Sequence, residues 1–213
     1  MHIVVNGANR GIGLEFCRQA RQRGHRVTAL CRNSSEELET LQVDVVEGVE
    51  VTSPPPLEQV REIDWLILNA GIWADESLEN FNFETLKEQF EVNSLGPMRM
   101  FFALCHGLHR GSKIGIISSL MGSVAENSSG GRYGYRASKA ALNCMGVSLA
   151  HDLKSEGIPV ALFHPGYVAT DMTSFKGTIS PKESVEGLFS LMEKLELESS
   201  GTFWNYRGEV VPW

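Results

Sequence analysis

Apolar residues along this chain come in short unbroken runs, separated by stretches in which they recur every three or four positions. Ile3-Val4-Val5 is the first run. From about Gly11 to Arg23 the period changes, and Ile12, Phe16 and Ala20 recur on one helical face. Arg26–Cys31 predicts a second strand, Leu41–Val45 a third and Asp64–Leu68 a fourth. A long helix is expected from about Phe83 to near His109, followed by a fifth strand over Lys113–Ser118. The next helix carries Tyr135 and runs to about Ser155, with Leu142, Met145, Leu149 and Leu153 as its apolar stripe. Ile158–Phe163 predicts a sixth strand, Pro181–Leu195 a final helix and Gly201–Trp204 a last strand.

Strands that are apolar at every position are buried on both faces, the condition of a parallel sheet covered by helices. The expected fold class is therefore α/β, with a single doubly wound parallel sheet and helices on both faces. Residues 1–213 are expected to form one domain, and Pro54-Pro55-Pro56 reads as a surface break rather than a linker. The stretch between the second and fourth strands is too brief for full helices. Ligands on such a sheet are expected at the carboxyl ends of its strands.

Composition narrows the partners. A chain of 213 residues can bury a sizeable core. Its 42% hydrophobic and 21% charged residues are ordinary for a soluble globular protein. The net charge of -7 argues against nucleic acid or an anionic membrane as the main partner. A phosphate-bearing ligand would need a local patch of positive potential. No apolar stretch approaches the roughly 20 residues that span a bilayer. Met1–Gly7 reads as a strand rather than a signal peptide, so a cytoplasmic location is expected. Cys17, Cys31, Cys105 and Cys144 are scattered, with no Cys-x-x-Cys pair, and are expected to be reduced, mostly buried thiols. The six histidines have no ligand spacing, and no metal site is expected.

Candidate chemistry begins at Gly7-Ala8-Asn9-Arg10-Gly11-Ile12-Gly13, which follows a strand and opens a helix. Gly7 permits a sharp turn, while Gly11 and Gly13 let backbone approach a pyrophosphate or pack closely. The free amides at the helix start favour an anion there. The spacing is Gly-x-x-x-Gly-x-Gly rather than Gly-x-Gly-x-x-Gly, and a plain strand-to-helix turn would also account for three glycines. Asn69-Ala70-Gly71 ends the fourth strand, where a cofactor's ribose or adenine would lie. Asn93 falls mid-helix, where asparagine competes for backbone bonds. Pro165-Gly166-Tyr167-Val168-Ala169-Thr170 follows the sixth strand with groups suited to a carboxamide. Tyr135 and Lys139 are four apart, hence on one face of a helix, and Ser119 closes a strand upstream. A cation beside a phenol stabilises the phenolate and is expected to lower its pKa, making a proton donor and acceptor for a carbonyl or an alcohol. Alone, Tyr-x-x-x-Lys is common by chance and reads first as a solvated helix face.

Taken in order, these pieces resemble the short-chain dehydrogenase/reductase family over nearly the whole chain: the glycine loop, Asp44-Val45, Asn69-Ala70-Gly71, Asn93, Ser119, Tyr135 with Lys139, and Pro165-Gly166 with Thr170. Ile117–Ser123 and Tyr133–Asn143 are most similar to the subgroup of C-factor and the sniffer-type carbonyl reductases. The resemblance implies a Rossmann fold binding a nicotinamide dinucleotide through Gly7, Asn9, Arg10, Gly11, Ile12 and Gly13 and through Arg32, Asp44 and Val45. Asn69, Ala70 and Gly71 would continue that surface, and Pro165, Gly166, Val168 and Thr170 would complete it. It further implies that Tyr135 exchanges a proton with the substrate oxygen and Ser119 bonds the same oxygen. Lys139 would hold the nicotinamide ribose and lower the Tyr135 pKa, and Asn93 would position a water beside Lys139.

Ser118 and Tyr133 are near neighbours that leave each assignment open by one or two positions. The four-residue step to Lys139 selects Tyr135, and comparison with the family selects Ser119, although 16 residues before Tyr135 is a slightly long interval. The extra residues around Ser128–Gly131 are expected to form a loop at the pocket mouth. Where NAD-specific relatives end the second strand with an acid, this chain has Cys31-Arg32-Asn33, and Arg10 lies in the glycine loop. Two guanidiniums without a nearby acid suit a 2′-phosphate, so NADP(H) is favoured over NAD(H). Trp73, Leu120, Met121, Tyr133, Tyr167, Met172 and Phe175 are candidate pocket walls for an aldehyde, ketone or quinone. The family implies a homodimer or homotetramer, although some carbonyl reductases are monomers. A nucleotide-binding signalling protein of the C-factor type is the rival reading.

Overall fold

Seven strands carry the architecture: β1 (His2–Asn6), β2 (Arg26–Leu30), β3 (Asp44–Val46), β4 (Ile63–Leu68), β5 (Leu108–Ile117), β6 (Val160–His164) and β7 (Phe203–Asn205). In a computed structural model that describes residues 1–213, they pair in parallel in the order β3-β2-β1-β4-β5-β6-β7. The helices are α1 (Gly11–Gln22), α2 (Glu36–Glu39), α3 (Phe83–Phe90), α4 (Gly96–Leu104), α5 (Tyr133–Asp152) and α6 (Pro181–Lys194). The fold is the expected Rossmann-type α/β sheet with helices on both faces.

Alternation along single strands explains why they read as wholly apolar. In β1, Ile3 and Val5 join the core beneath α1 and α6, while Val4 joins the opposite core beneath α4 and α5. Phe163 on β6 and Phe189 on α6 are fully buried, each contributing roughly 2–3 kcal/mol of transfer free energy. Leaving β1, the strand order runs out to β3 in one direction and, from β4 onward, in the other. That reversal opens a crevice above β1 and β4, between loops that diverge to opposite sides.

Two elements differ from expectation. The helix expected over 83–109 is broken by a π turn at Glu91–Leu95 and ends at Leu104, with β5 beginning as early as Leu108. The third strand begins at Asp44 rather than Leu41. The short α2, four residues long, confirms that no full helix fits between β2 and β4. Cys17 and Cys31 are buried as expected, but Cys105 and Cys144 lie exposed on outward helix and turn positions. No helix is long and apolar enough to cross a membrane.

Candidate active site

The crevice is the mouth of a cleft of about 1260 Å³ running across the carboxyl ends of the strands. It is larger than the roughly 300–1,000 Å³ typical of sites for drug-sized ligands. Gly7, Asn9, Arg10, Gly11 and Ile12 form its floor at one end. Gly7 sits at φ +63°, and a Cβ there would lie 2.9 Å from the Ala70 Cα. Gly13 lies behind the wall: a Cβ on it would come within 2.2 Å of the Gly7 carbonyl oxygen. The third glycine therefore allows α1 to press against the loop. Arg10, at the start of α1, provides no side-chain cap, so the first helical amides remain available to a ligand.

Asn69, Ala70 and Gly71 also line the cleft, held to β1 by hydrogen bonds. Asn6 Oδ1 accepts from the Asn69 and Ala70 amides at 2.5 and 3.0 Å, and Asn69 Nδ2 donates to the Gly7 carbonyl at 3.0 Å. Pro165, Gly166, Val168 and Thr170 line the far side.

Asp44 and Val45 do not reach the cleft. They lie within β3, where Asp44 is exposed, opposite Thr28 in register and 3.1 Å from Arg26. Because the strand starts three residues late, the chain arrives at the cleft only at Val49-Glu50-Val51-Thr52. Glu50-Val51 is the same acid–aliphatic pair and could have been chosen from the sequence.

Arg10 and Arg32 both line the cleft, but the expectation that no acid stands near them fails. Arg10 lies 3.7 Å from Asp171 and Arg32 lies 3.7 Å from Glu50. All four side chains are well exposed, and pairs so loose and solvated contribute about 0–1 kcal/mol. An incoming phosphate could displace either acid at little cost.

At the other end, Ser119 follows β5 and faces Tyr135 and Lys139 on α5; all three line the cleft. Of the near neighbours, Ser118 lines the cleft as well and Tyr133 does not. Ser118 Oγ donates to Asn143 Oδ1 at 2.5 Å and so fastens β5 to α5. Tyr133 packs on Phe81 with ring centroids 5.2 Å apart and is not a cleft residue. Tyr135 instead meets Trp73 edge-on at 4.8 Å. Among the other candidate walls, Trp73, Leu120, Met121, Tyr167 and Met172 line the cleft, whereas Phe175 does not.

Lys139 Nζ donates to the Ile117 carbonyl at 2.9 Å and stands 5.9 Å from the Tyr135 ring centroid. Asn93 occupies the middle of the π turn, fully buried. Its Oδ1 accepts from the Ile72 amide at 2.8 Å, and its Nδ2 donates to the Ile72 carbonyl and to Ser138 Oγ, both at 3.0 Å. It thus clamps the loop after β4 to α5 without touching Lys139. A π turn lets Asn93 turn its whole amide inward, which is why a poor helix former is tolerated there.

A family model for short chain dehydrogenases matches residues 1–178. The chain belongs to the short-chain dehydrogenase family. The 1-hydroxy-2-glutathionyl-2-methyl-3-butene dehydrogenase of Rhodococcus sp. (strain AD45) is 37% identical over 224 residues, covering 99% of both chains. C-signal of Myxococcus xanthus is 40% identical over 156 residues, covering 71% of this chain and 93% of its own. An NADPH-bound carbonyl reductase from chicken fatty liver shares the fold with a TM-score of 0.89 at 28% identity, covering 100% of this chain and 98% of that one.

In this short-chain dehydrogenase, burial governs the titrating groups. It pushes the Tyr135 phenol up to about 12, with the Ser119 hydroxyl drawing it partly back. The lowered phenol expected from Lys139 is not found, because removing water from the ring outweighs an amine turned toward a carbonyl. The same burial brings Lys139 down to about 8 and the His164 imidazole down to about 4. At neutral pH the phenol is protonated, the lysine charged and the imidazole neutral.

The residues present suit a dinucleotide. The loop passes close enough to exclude a Cβ at Gly7 and Gly13, and the helical amides are free. Asn6 Nδ2 and His164 Nδ1, both on cleft residues, are buried without a partner in the chain. His164 escaped the sequence reading, although its place just before Pro165-Gly166 was a usable signal. Glu76, whose carboxylate accepts from the Gly134 amide at the start of α5, escaped it too, having no motif around it.

Proposed function

We propose that this chain is a carbonyl reductase that uses NADP(H) in preference to NAD(H). One observation carries the reading: a buried tyrosine, serine and lysine share the wall of a cleft whose opposite end is a glycine-rich turn at a helix start. A reduced nicotinamide bound in the cleft would supply hydride. Tyr135 holds a proton at neutral pH and would give it to the substrate oxygen. Ser119, beside the phenol, would bond the same oxygen as negative charge develops. Lys139 keeps its charge below about pH 8 and would steady the phenolate left behind. Trp73 meets the phenol ring edge-on and, with Leu120 and Met121, gives the cleft an apolar wall beside it.

The preference for a 2′-phosphate is supported by Arg10 and Arg32 and by the NADPH carried by the chicken carbonyl reductase. The substrate is a carbonyl compound or the corresponding alcohol, in keeping with the 1-hydroxy compound, a glutathionyl conjugate, named for the Rhodococcus dehydrogenase.

Mixing the protein with NADPH and a panel of aldehydes, diketones and quinones tests the reading through loss of the nicotinamide absorbance. Tyr135→Phe should reduce turnover by at least about a hundredfold while cofactor binding persists. The identity with C-signal favours a second reading, a nucleotide-binding signalling protein. Tight NADPH binding with no turnover across the panel would select it.

A further inference from the structure

Next to Tyr135 lies a second chamber of about 390 Å³ that the proposed hydride and proton transfer does not use. Trp73, Leu120, Met121 and Tyr167 form its apolar walls, and Arg132 and Arg136 supply its charge. Trp73, Leu120, Met121, Tyr167 and Arg132 also line the large cleft, so the two spaces share a wall. Arg132 stands 5.7 Å over the Trp73 ring, and Trp73 in turn meets Tyr135 at 4.8 Å. One indole thus separates a guanidinium from the phenol.

The positive charge there is poorly answered. Arg136 Nε donates to the Gly131 carbonyl at 3.2 Å and Nη2 to Ser129 Oγ at 2.9 Å, both neutral acceptors. Burial and the neighbouring Arg132 both disfavour its charged form. Arg132 has one acid, Asp75, at 3.5 Å, but that side chain is 71% exposed. Glu126 is the other acid of the chamber, and it is exposed on the rim. Two adjacent guanidiniums in a half-apolar hollow match a planar oxyanion on an otherwise apolar molecule.

We propose that this chamber is the anchoring subsite of the substrate and that it takes a carboxylate. The preferred substrate is then an aldehyde or ketone carrying a carboxylate away from its carbonyl, the carboxylate held by Arg136 and Arg132. This inference rests on the carbonyl-reductase reading.

The test compares 4-formylbenzoate with its methyl ester as substrates under NADPH. Wild-type protein should favour the acid in kcat/KM by about 10- to 100-fold, mainly through KM. Arg136→Gln should erase that ratio, Arg136→Lys should keep part of it, and Glu126→Gln should raise it a few-fold. The Glu126 variant cannot gain preference by misfolding, so it decides the matter if Arg136→Gln fails to fold. Turnover of both compounds with no preference for the acid, or a ratio unmoved by Glu126→Gln and Arg136→Gln, would overturn the subsite and leave the reductase standing. If neither aldehyde turns over, the reductase reading fails for these compounds, and calorimetry of the matching alcohols decides the subsite. Tighter binding of 4-(hydroxymethyl)benzoate than of its ester, weakened by Arg136→Gln, supports it; equal binding overturns it.

Discussion

Lys139 holds a positive charge where burial works against it, and the consequence can be read as a pH profile. The amine titrates at 10.5 in an unfolded chain and at about 8 in the fold. Between these values the unfolded chain binds more protons, so stability rises with pH across the window and is lost as pH falls through it. Below about pH 8 the penalty is constant. The difference amounts to about 3 kcal/mol. Lys139→Met removes this dependence, and it also leaves the Ile117 carbonyl without its donor, a cost that does not vary with pH. Wild type should therefore gain about 3 kcal/mol on the variant between pH 8 and 10.5 in denaturant unfolding. A difference that stays flat would show that burial does not depress the amine.

The helix that carries Tyr135 and Lys139 begins without a cap of its own. Arg132, at its N-cap, adopts φ +54° and makes no side-chain cap bond. The carboxylate comes from elsewhere in the chain. Glu76, 4% exposed, accepts from the Gly134 amide at 2.5 Å and from Thr85 Oγ and Gln89 Nε2 at 2.8 Å each. Its backbone carbonyl accepts from the Arg132 amide at 2.6 Å. A buried carboxylate at a helix start satisfies orphan amides and meets the positive end of the helix dipole. Glu76→Ala should cost about 2–4 kcal/mol of unfolding free energy. It should also lower kcat, because the first turn of α5 places the phenol. Unchanged denaturation midpoints would show that water caps the helix equally well. The π turn at Glu91–Leu95 acts on the same helix from the other side, through Asn93 to Ser138.

For the molecule as a whole, cofactor binding should be visible as stability. The cleft runs from the α1 loop to the segment after β6 and so joins both halves of the sheet. A ligand that binds only the folded state adds about 2.7 kcal/mol at a hundredfold excess over its Kd. For a chain of 213 residues this corresponds to about 5–10 °C in Tm. NADPH should therefore raise Tm by about that amount, and NADH at the same concentration by less. Arg32→Ala should bring the NADPH shift down to that of NADH. Equal shifts for the two cofactors in wild type would remove the case for a 2′-phosphate site. The net charge of -7 does not prevent such a site, since Arg10 and Arg32 line the cleft and face only loosely held acids.

Periodicity sufficed for the parallel sheet, because strands buried on both faces have no polar alternation to mistake for anything else. Local spacing put Gly7 at a strand end and Tyr135 and Lys139 one helical turn apart, while comparison with the family selected Ser119 over Ser118. What local pattern could not supply depends on neighbours distant in the chain. Asp44 was misassigned to the cofactor surface because a strand's end is set by pairing with β2, not by its own residues. The Tyr135 phenol is raised rather than lowered because its environment is decided by how closely the loop after β4 and the β5–α5 connection close over it. Glu76 reaches Gly134 across 58 positions of sequence. The chamber of Arg132 and Arg136 exists only once the β5–α5 connection is folded against Trp73. Local pattern determined which elements form and which chemistry they bear. Desolvation and charge pairing, which sum over the whole folded surroundings, were left to the tertiary structure.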